Sequence, residues 1–137
     1  MPELDAPTIA ELLTAARSAA RHAYAPFSHF SVGAAVRAAD GRVFTGANVE
    51  NSSYGLTVCA ERVAVFKAIS EGHRSFRRIA IVADTDAPTP PCGACRQILW
   101  EFGGNLEVIL GNLTAAKGRY ALAELLPLPF DGRFLAK

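Results

Sequence analysis

Only about eight residues separate the apolar run Leu106–Leu110 from the next strand-forming stretch, around Arg119–Leu122, and a parallel crossover needs a dozen or more. The last two strands are therefore expected to be antiparallel. Upstream the patterning changes. From about Thr8 to Tyr24, Ile9, Leu12, Leu13, Ala16, Ala20 and Ala23 fall at helical spacing behind a Thr8/Glu11 capping signature, with Pro26 as the stop. From Phe30 to Ala38, the residues Phe30, Val32, Ala34, Val36 and Ala38 alternate as a strand does. Asp40-Gly41 supplies a tight turn into a second strand, from about Arg42 to Ala47.

Asn48 to Gly55 is a polar loop with more side-chain chemistry than a connector needs. A helix is expected to begin near Cys59 and run through Val63, Phe66, Lys67 and Ile69 to a stop at Gly72. Ile79–Ala83 reads as a buried strand and Asp84–Pro91 as a loop. A second short helix covers Cys95–Phe102 before Gly103-Gly104. The pattern of helix, hairpin, two strand-helix units and closing hairpin predicts an α/β layered domain with a mixed five-stranded sheet. At 137 residues, 50% of them hydrophobic, the whole chain, 1–137, is expected to be a single domain.

Charge and leader signals narrow the partners. The 14 Lys plus Arg against 13 Asp plus Glu give a net charge of +1 with no block of either sign, which argues against a nucleic-acid duplex or an anionic membrane. Met1 to Glu11 lacks the basic stretch and apolar run of a signal peptide, and no apolar run reaches the ~18 residues of a membrane span. The expected location is the cytoplasm, where cysteines persist as thiols.

The 3 cysteines, an odd number, exclude a fully paired disulfide framework within one chain. In Pro91-Cys92-Gly93-Ala94-Cys95 two of them stand three apart, so on a first helical turn they share a face; Cys59 opens the other short helix. Both segments would present helix N-termini, which favour thiolates. A zinc site, a redox pair and inert thiols remain open on spacing alone, and a fourth ligand would have to be one of His22, His29 and His73. Glu61, two residues after Cys59, favours the first: a carboxylate beside a metal with an open position can move the proton of an activated water.

In these residues the chain resembles the cytidine deaminase family, in its small homotetrameric zinc type. Cys59-Ala60-Glu61 followed by Pro91-Cys92-Gly93-Ala94-Cys95 is similar to the zinc deaminase signature, a chemistry already described for that family in general terms. The likeness extends through Tyr24–Ser28, Val32–Ala35, Gly46–Glu50, Ser53-Tyr54, Cys59–Arg62, Pro91–Gln97 and Glu124–Pro127. It implies a three-layer αβα fold, one Zn²⁺ per chain on Cys59, Cys92 and Cys95, and Glu61 as the catalytic proton shuttle. The implied reaction is hydrolytic deamination of cytidine and deoxycytidine in pyrimidine salvage.

The resemblance further implies that Asn48 and Glu50 hold the ribose 3′-hydroxyl, that Phe30 packs on the pyrimidine, and that Ala60 belongs to the same substrate-binding set. Tyr54 and Phe130 match aromatics that reach a neighbouring subunit's site, which requires a homotetramer. Arg62 matches a guanidinium that hydrogen-bonds the ligand sulfurs and offsets their charge; Arg96, beside Cys95, is a second candidate for that task. His29 stands where a basic residue is usual, which leaves its contacts near the ribose open. Deamination of a modified aminonucleoside such as blasticidin S, and a non-catalytic zinc-binding module, are the alternative readings.

Overall fold

Small side chains decide how closely the layers of this molecule approach. The computed structural model describes residues 8–135, so the first residues of the leader reading lie outside it. Helix α1 (Ile9–Ala20) is followed by strands β1 (Val32–Ala38) and β2 (Val43–Ala47), helix α2 (Ala60–Ser70), strand β3 (Phe76–Ala83), helix α3 (Gly93–Gly103), strands β4 (Glu107–Gly111) and β5 (Ala116–Ala121), and a single helical turn, α4 (Leu122–Leu125). The five strands lie in the order β2-β1-β3-β4-β5. β3 and β4 are parallel, β1 is antiparallel to both β2 and β3, and β4 and β5 are antiparallel. The short last connection is what forbids a crossover there, as the sequence requires.

The sheet has two buried faces. On one, Leu12, Leu13 and Ala16 of α1 pack on Ala35, Ala80, Val82 and Ile109. On the other, Ala60, Ala64 and Ala68 of α2 and Leu99 of α3 pack on Val36, Ile79, Ile81, Val108 and Leu110. One helix thus covers one face and two cover the other, which is the three-layer arrangement expected.

The burial of α2 runs along Ala60, Ala64 and Ala68, all fully buried, at a spacing of one helical turn. Phe66, part of the apolar pattern, is 45% exposed on the outer side. An alanine stripe allows backbone-to-sheet contact: a Cβ added at Gly46 would lie 2.5 Å from the Ala64 nitrogen and 2.6 Å from the Ala60 carbonyl oxygen. The start of α2 is thereby pressed onto β2.

β3 and α3 start a few residues earlier than read, at Phe76 and Gly93, and three further boundaries differ from the sequence pattern for a local reason. α1 ends at Ala20 and not near Tyr24, because the N–H groups of His22 and Ala23 turn back to Ala19 and Ala20 and Tyr24 instead donates to Asn48 O at 3.0 Å. Phe30 is not in β1: its N–H donates to Ser28 Oγ at 3.0 Å and its carbonyl accepts from Asn48 Nδ2 at 2.8 Å, leaving nothing for a sheet ladder. β5 starts earlier than expected, at Ala116, because Asn112 Oδ1 accepts from Thr114 N at 3.0 Å and Ala115 N at 2.9 Å and closes a tight turn. Among the described residues no helix is long and apolar enough to cross a membrane.

The closest approach is at Gly33, where an added Cβ would sit 1.9 Å from the Ala16 carbonyl oxygen and 2.6 Å from the Ala20 nitrogen. Both are backbone atoms, so α1 would have to lift off the sheet. Gly33→Ala is expected to cost about 3 kcal/mol, near the upper end for overpacked cores, read as a lower denaturant midpoint at unchanged slope.

Candidate active site

Two helices begin at the same place, and each has a cysteine as its N-cap. Cys59 caps α2 and Cys92 caps α3, both with extended backbone, and Cys92 Sγ accepts from Cys95 N at 3.5 Å. The sulfurs of Cys59, Cys92 and Cys95 all lie within 4.8 Å of one another. Cys95 is buried, Cys59 half-buried and Cys92 exposed, and none is in a disulfide. None of His22, His29 and His73 joins the cluster.

Positive charge faces the sulfurs. Arg62 Nη2 lies 3.4 Å from Cys59 Sγ and 3.5 Å from the Thr57 carbonyl. A hydrogen bond from Cys95 and the Arg62 guanidinium bring the Cys59 thiol down to about 5. Cys95, donating that bond and buried beside Glu61, is held well above the ordinary thiol range. Arg96 turns elsewhere, contrary to its reading as a second sulfur partner. Its Nε donates to Pro91 O at 2.8 Å and its Nη1 to Leu125 O at 2.6 Å.

Glu61 sits in the first turn of α2 and is only 5% exposed. Burial pushes its carboxyl up to about 7, and the Cys59 thiolate adds to the rise. Glu61, Ala60, Cys59 and Cys92 line one cavity of about 210 Å³. Phe30, Asn48 and Glu50 line the same cavity. Residues from five separate segments of the sequence are therefore brought to a single hollow. Ser28, Val32, Thr57, Ile81, Thr89 and Pro90 complete its wall. Ser28 lies inside a motif already noted, but Thr89 and Pro90 belong to a loop read only as a connector, and no residue pattern singles them out.

The polar rim is braced by its own chain. Asn48, 8% exposed, accepts from Val32 N at 2.8 Å through Oδ1 and donates to Phe30 O through Nδ2. Glu50 Oε1 accepts from Phe27 N at 2.9 Å and Ser28 N at 3.2 Å, and Oε2 accepts from the Ser28 hydroxyl. That hydroxyl, followed by the two amides, holds the Glu50 carboxyl below its ordinary range. Three donors leave about one of a carboxylate's four acceptor sites open, and Asn48 retains one N–H.

The remaining aromatics stand apart from this cavity. Tyr54 is 75% exposed, edge-on to Phe27 at 5.9 Å, and borders an adjoining hollow shared with Ser28, Glu50 and Thr57. Phe130, 57% exposed, stacks on Phe134 at 5.4 Å and lines no wall of the cavity of its own chain. His29 adopts a left-handed backbone (φ 58°) and borders a different hollow with Arg17 and Arg21.

The family model for the cytidine and deoxycytidylate deaminase zinc-binding region matches residues 7–111. The chain belongs to this family. The cytidine deaminase of Sporosarcina psychrophila is 48% identical over 124 residues, 90% of this chain and 91% of that protein. The cytidine deaminase of Halalkalibacterium halodurans is 52% identical over 120 residues, 87% and 91% of the two chains. The crystal structure of cytidine deaminase from Burkholderia pseudomallei superposes with a TM-score of 0.87 at 48% identity, covering 90% of this chain and 99% of that one. As a cytidine and deoxycytidylate deaminase family member, the chain thus carries the fold and the three-cysteine cluster together.

Asn48 offers a stability test specific to this site. Asn48→Ala leaves the Val32 N–H and the Phe30 carbonyl without partners in a largely buried position, at a cost of about 1 to 3 kcal/mol. A matching fall in thermal midpoint is expected, and an unchanged midpoint would show that these bonds do not brace the rim.

Proposed function

We propose that this protein is a zinc-dependent cytidine and deoxycytidine deaminase that produces uridine or deoxyuridine and ammonia. The observation that carries the reading is the buried carboxyl of Glu61 on the wall of the cavity that Cys59 and Cys92 also reach. A structural metal site has no use for such a group, so the non-catalytic alternative loses its ground.

The cysteines fit zinc by their chemistry and spacing. A tetrahedral ion with metal–sulfur bonds of about 2.3 Å sets its sulfurs about 3.8 Å apart, compatible with three sulfurs all within 4.8 Å. Cys59, Cys92 and Cys95 would hold one ion per chain, and three protein ligands leave one position open. When bound, zinc supplies the Lewis acidity that makes water a nucleophile at neutral pH. Arg62 offsets part of the thiolate charge that would otherwise work against that acidity.

The chain's own groups do the rest. Glu61 accepts a proton from the attacking water and delivers it to ring N3 as oxygen bonds to C4. It then carries the second proton to the exocyclic nitrogen, the C4–N bond breaks, and ammonia leaves. A carboxyl titrating near neutrality suits both directions of transfer. Phe30 packs on the pyrimidine over Ala60. The ribose 3′-hydroxyl donates to Glu50 and accepts from the remaining Asn48 N–H, using the one acceptor and one donor that the bracing leaves over. That intact ribose pair favours a natural nucleoside over a modified aminonucleoside such as blasticidin S.

A cavity of about 210 Å³ is small for a nucleoside site, since ligand pockets commonly span about 300 to 1,000 Å³. We read the deficit as a wall supplied by neighbours: Tyr54 and Phe130, exposed here, complete other subunits' sites in a homotetramer. The three free thiols suit a reducing cytoplasm and a role in pyrimidine salvage.

The decisive measurement is the ultraviolet change on incubating zinc-loaded protein with cytidine; no turnover would overturn the reading. Glu61→Gln is expected to lower kcat at least about 10²-fold while zinc stays near one per chain. Cys92→Ala is expected to lose metal and activity together, and stoichiometric zinc in that variant would remove Cys92 from the ligand set. Light scattering is expected at about four times the 14.6 kDa chain mass, against a single chain mass if the sites are self-contained.

A further inference from the structure

Helix α3 carries Cys95 near its start, and the next turn of the same helix grips the C-terminal segment. Gln97 Nε2 donates to the Phe130 carbonyl at 2.7 Å, and Gln97 Oε1 accepts from the Phe130 N–H at 3.0 Å. One side-chain amide therefore pairs with both backbone groups of one residue, as a neighbouring strand would. On either side of that contact, Arg96 Nη1 holds Leu125 O at 2.6 Å, and Trp100 Nε1 donates to Asp131 Oδ2 at 2.9 Å.

The segment between these anchors has little else to hold it. In Leu126-Pro127-Leu128-Pro129-Phe130 the two prolines have no N–H to give. The Leu126 N–H is spent on Leu122 O at 2.9 Å, and Leu128 is 94% exposed. Trp100 holds the neighbouring Asp131, and among the described residues Gln97 alone bonds the Phe130 backbone itself. The Phe130 ring is then aligned by Phe134, stacked at 5.4 Å and 11°.

We infer that Gln97 is a positioning residue that fixes the Phe130 ring in register with the helix carrying Cys95, so that this ring forms a wall of a neighbouring subunit's nucleoside site. The inference rests on the reading above that Phe130 crosses to a neighbour. It assigns to one surface amide the link between the aromatic wall and the metal-bearing scaffold. Gln97 touches no substrate; it acts through Phe130.

The test is a double-mutant cycle on the zinc-loaded, assembled protein with cytidine as substrate. Gln97→Ala is expected to raise KM about 10-fold with kcat within about 3-fold, the pattern of lost binding that is common to ground and transition states. Zinc content and assembled mass should be unchanged. Phe130→Ala should raise KM similarly, and the double variant should be no worse than Phe130→Ala alone. Gln97→Glu, which keeps the acceptor for the Phe130 N–H and loses the donor to its carbonyl, should fall between Gln97→Ala and the unaltered protein.

If Phe130→Ala raises KM and Gln97→Ala does not, the inference fails and the reading of Phe130 stands. If Phe130→Ala itself leaves KM unchanged, the reading beneath it fails. Additive effects in the double variant, or loss of zinc or assembly in Gln97→Ala, would give Gln97 a different role and overturn the inference.

Discussion

Three sulfurs within 4.8 Å of one another set the central electrostatic constraint. Two unit charges at about 4 Å repel by about 4 kcal/mol at an effective dielectric of 20, so three thiolates cannot share this volume without opposing positive charge. The fold supplies part of it in two ways. Cys59 and Cys92 each cap a helix, where unsatisfied N–H groups carry partial positive charge, and Arg62 lies 3.4 Å from Cys59 Sγ. The hydrogen bond to Cys59 and burial hold the Cys95 thiol well above its ordinary range, which disfavours a third unpaired thiolate. A divalent cation held by the three cysteines would offset the same charge. The alanine stripe of α2 and the absence of a side chain at Gly46 serve this arrangement, because they seat the start of α2 firmly on the sheet.

The same region separates two carboxylates by environment. Glu61, shut away from water and beside a thiolate, is raised to about 7. Glu50, on the rim and supplied with three donors, is held below its ordinary range. A pair of acids pushed apart in this way is fitted to divided labour. In the proposed reaction the first would take up and release protons near neutrality, and the second would remain a fixed acceptor for a hydroxyl. Neither task could be exchanged without also exchanging the surroundings.

Much of the scaffold was legible because its signals are local. Cys92-x-x-Cys95 after a proline, the Asp40-Gly41 turn and the short connection before β5 each act over a few residues, and each appears where the pattern requires. What could not be read depended on partners distant in sequence. Phe30 continues the alternation of β1 and still leaves the sheet, because Asn48, eighteen residues on, takes its carbonyl. Arg96 sits beside Cys95 and still turns away, toward Leu125, twenty-nine residues on. Thr89 and Pro90 reach the cavity only because α3 begins just after them. Glu61 lay between these cases: two-residue spacing from Cys59 does not by itself bring side chains together inside a helix, and it does so here because Cys59 is a cap with extended backbone.

Chain length bears on where the remaining site walls come from. The elements that hold the sulfurs are the same ones that form the core, so Cys59, Glu61 and Cys95 cannot move outward to enlarge the cavity without unpacking Ala60 and Leu99, both buried at 2% exposure or less. In the proposed assembly a larger substrate surface would be added from outside this core. In the proposed tetramer the exposed aromatics Tyr54 and Phe130 would contribute such area; in their own chain Tyr54 lies edge-on to Phe27, and the Phe130 backbone is held on α3 by Gln97. Anchoring Phe130 to the helix of buried Cys95 would, in the proposed tetramer, tie an outward-facing wall to the core, so that a site divided between chains would keep the positional accuracy of one built within a single core.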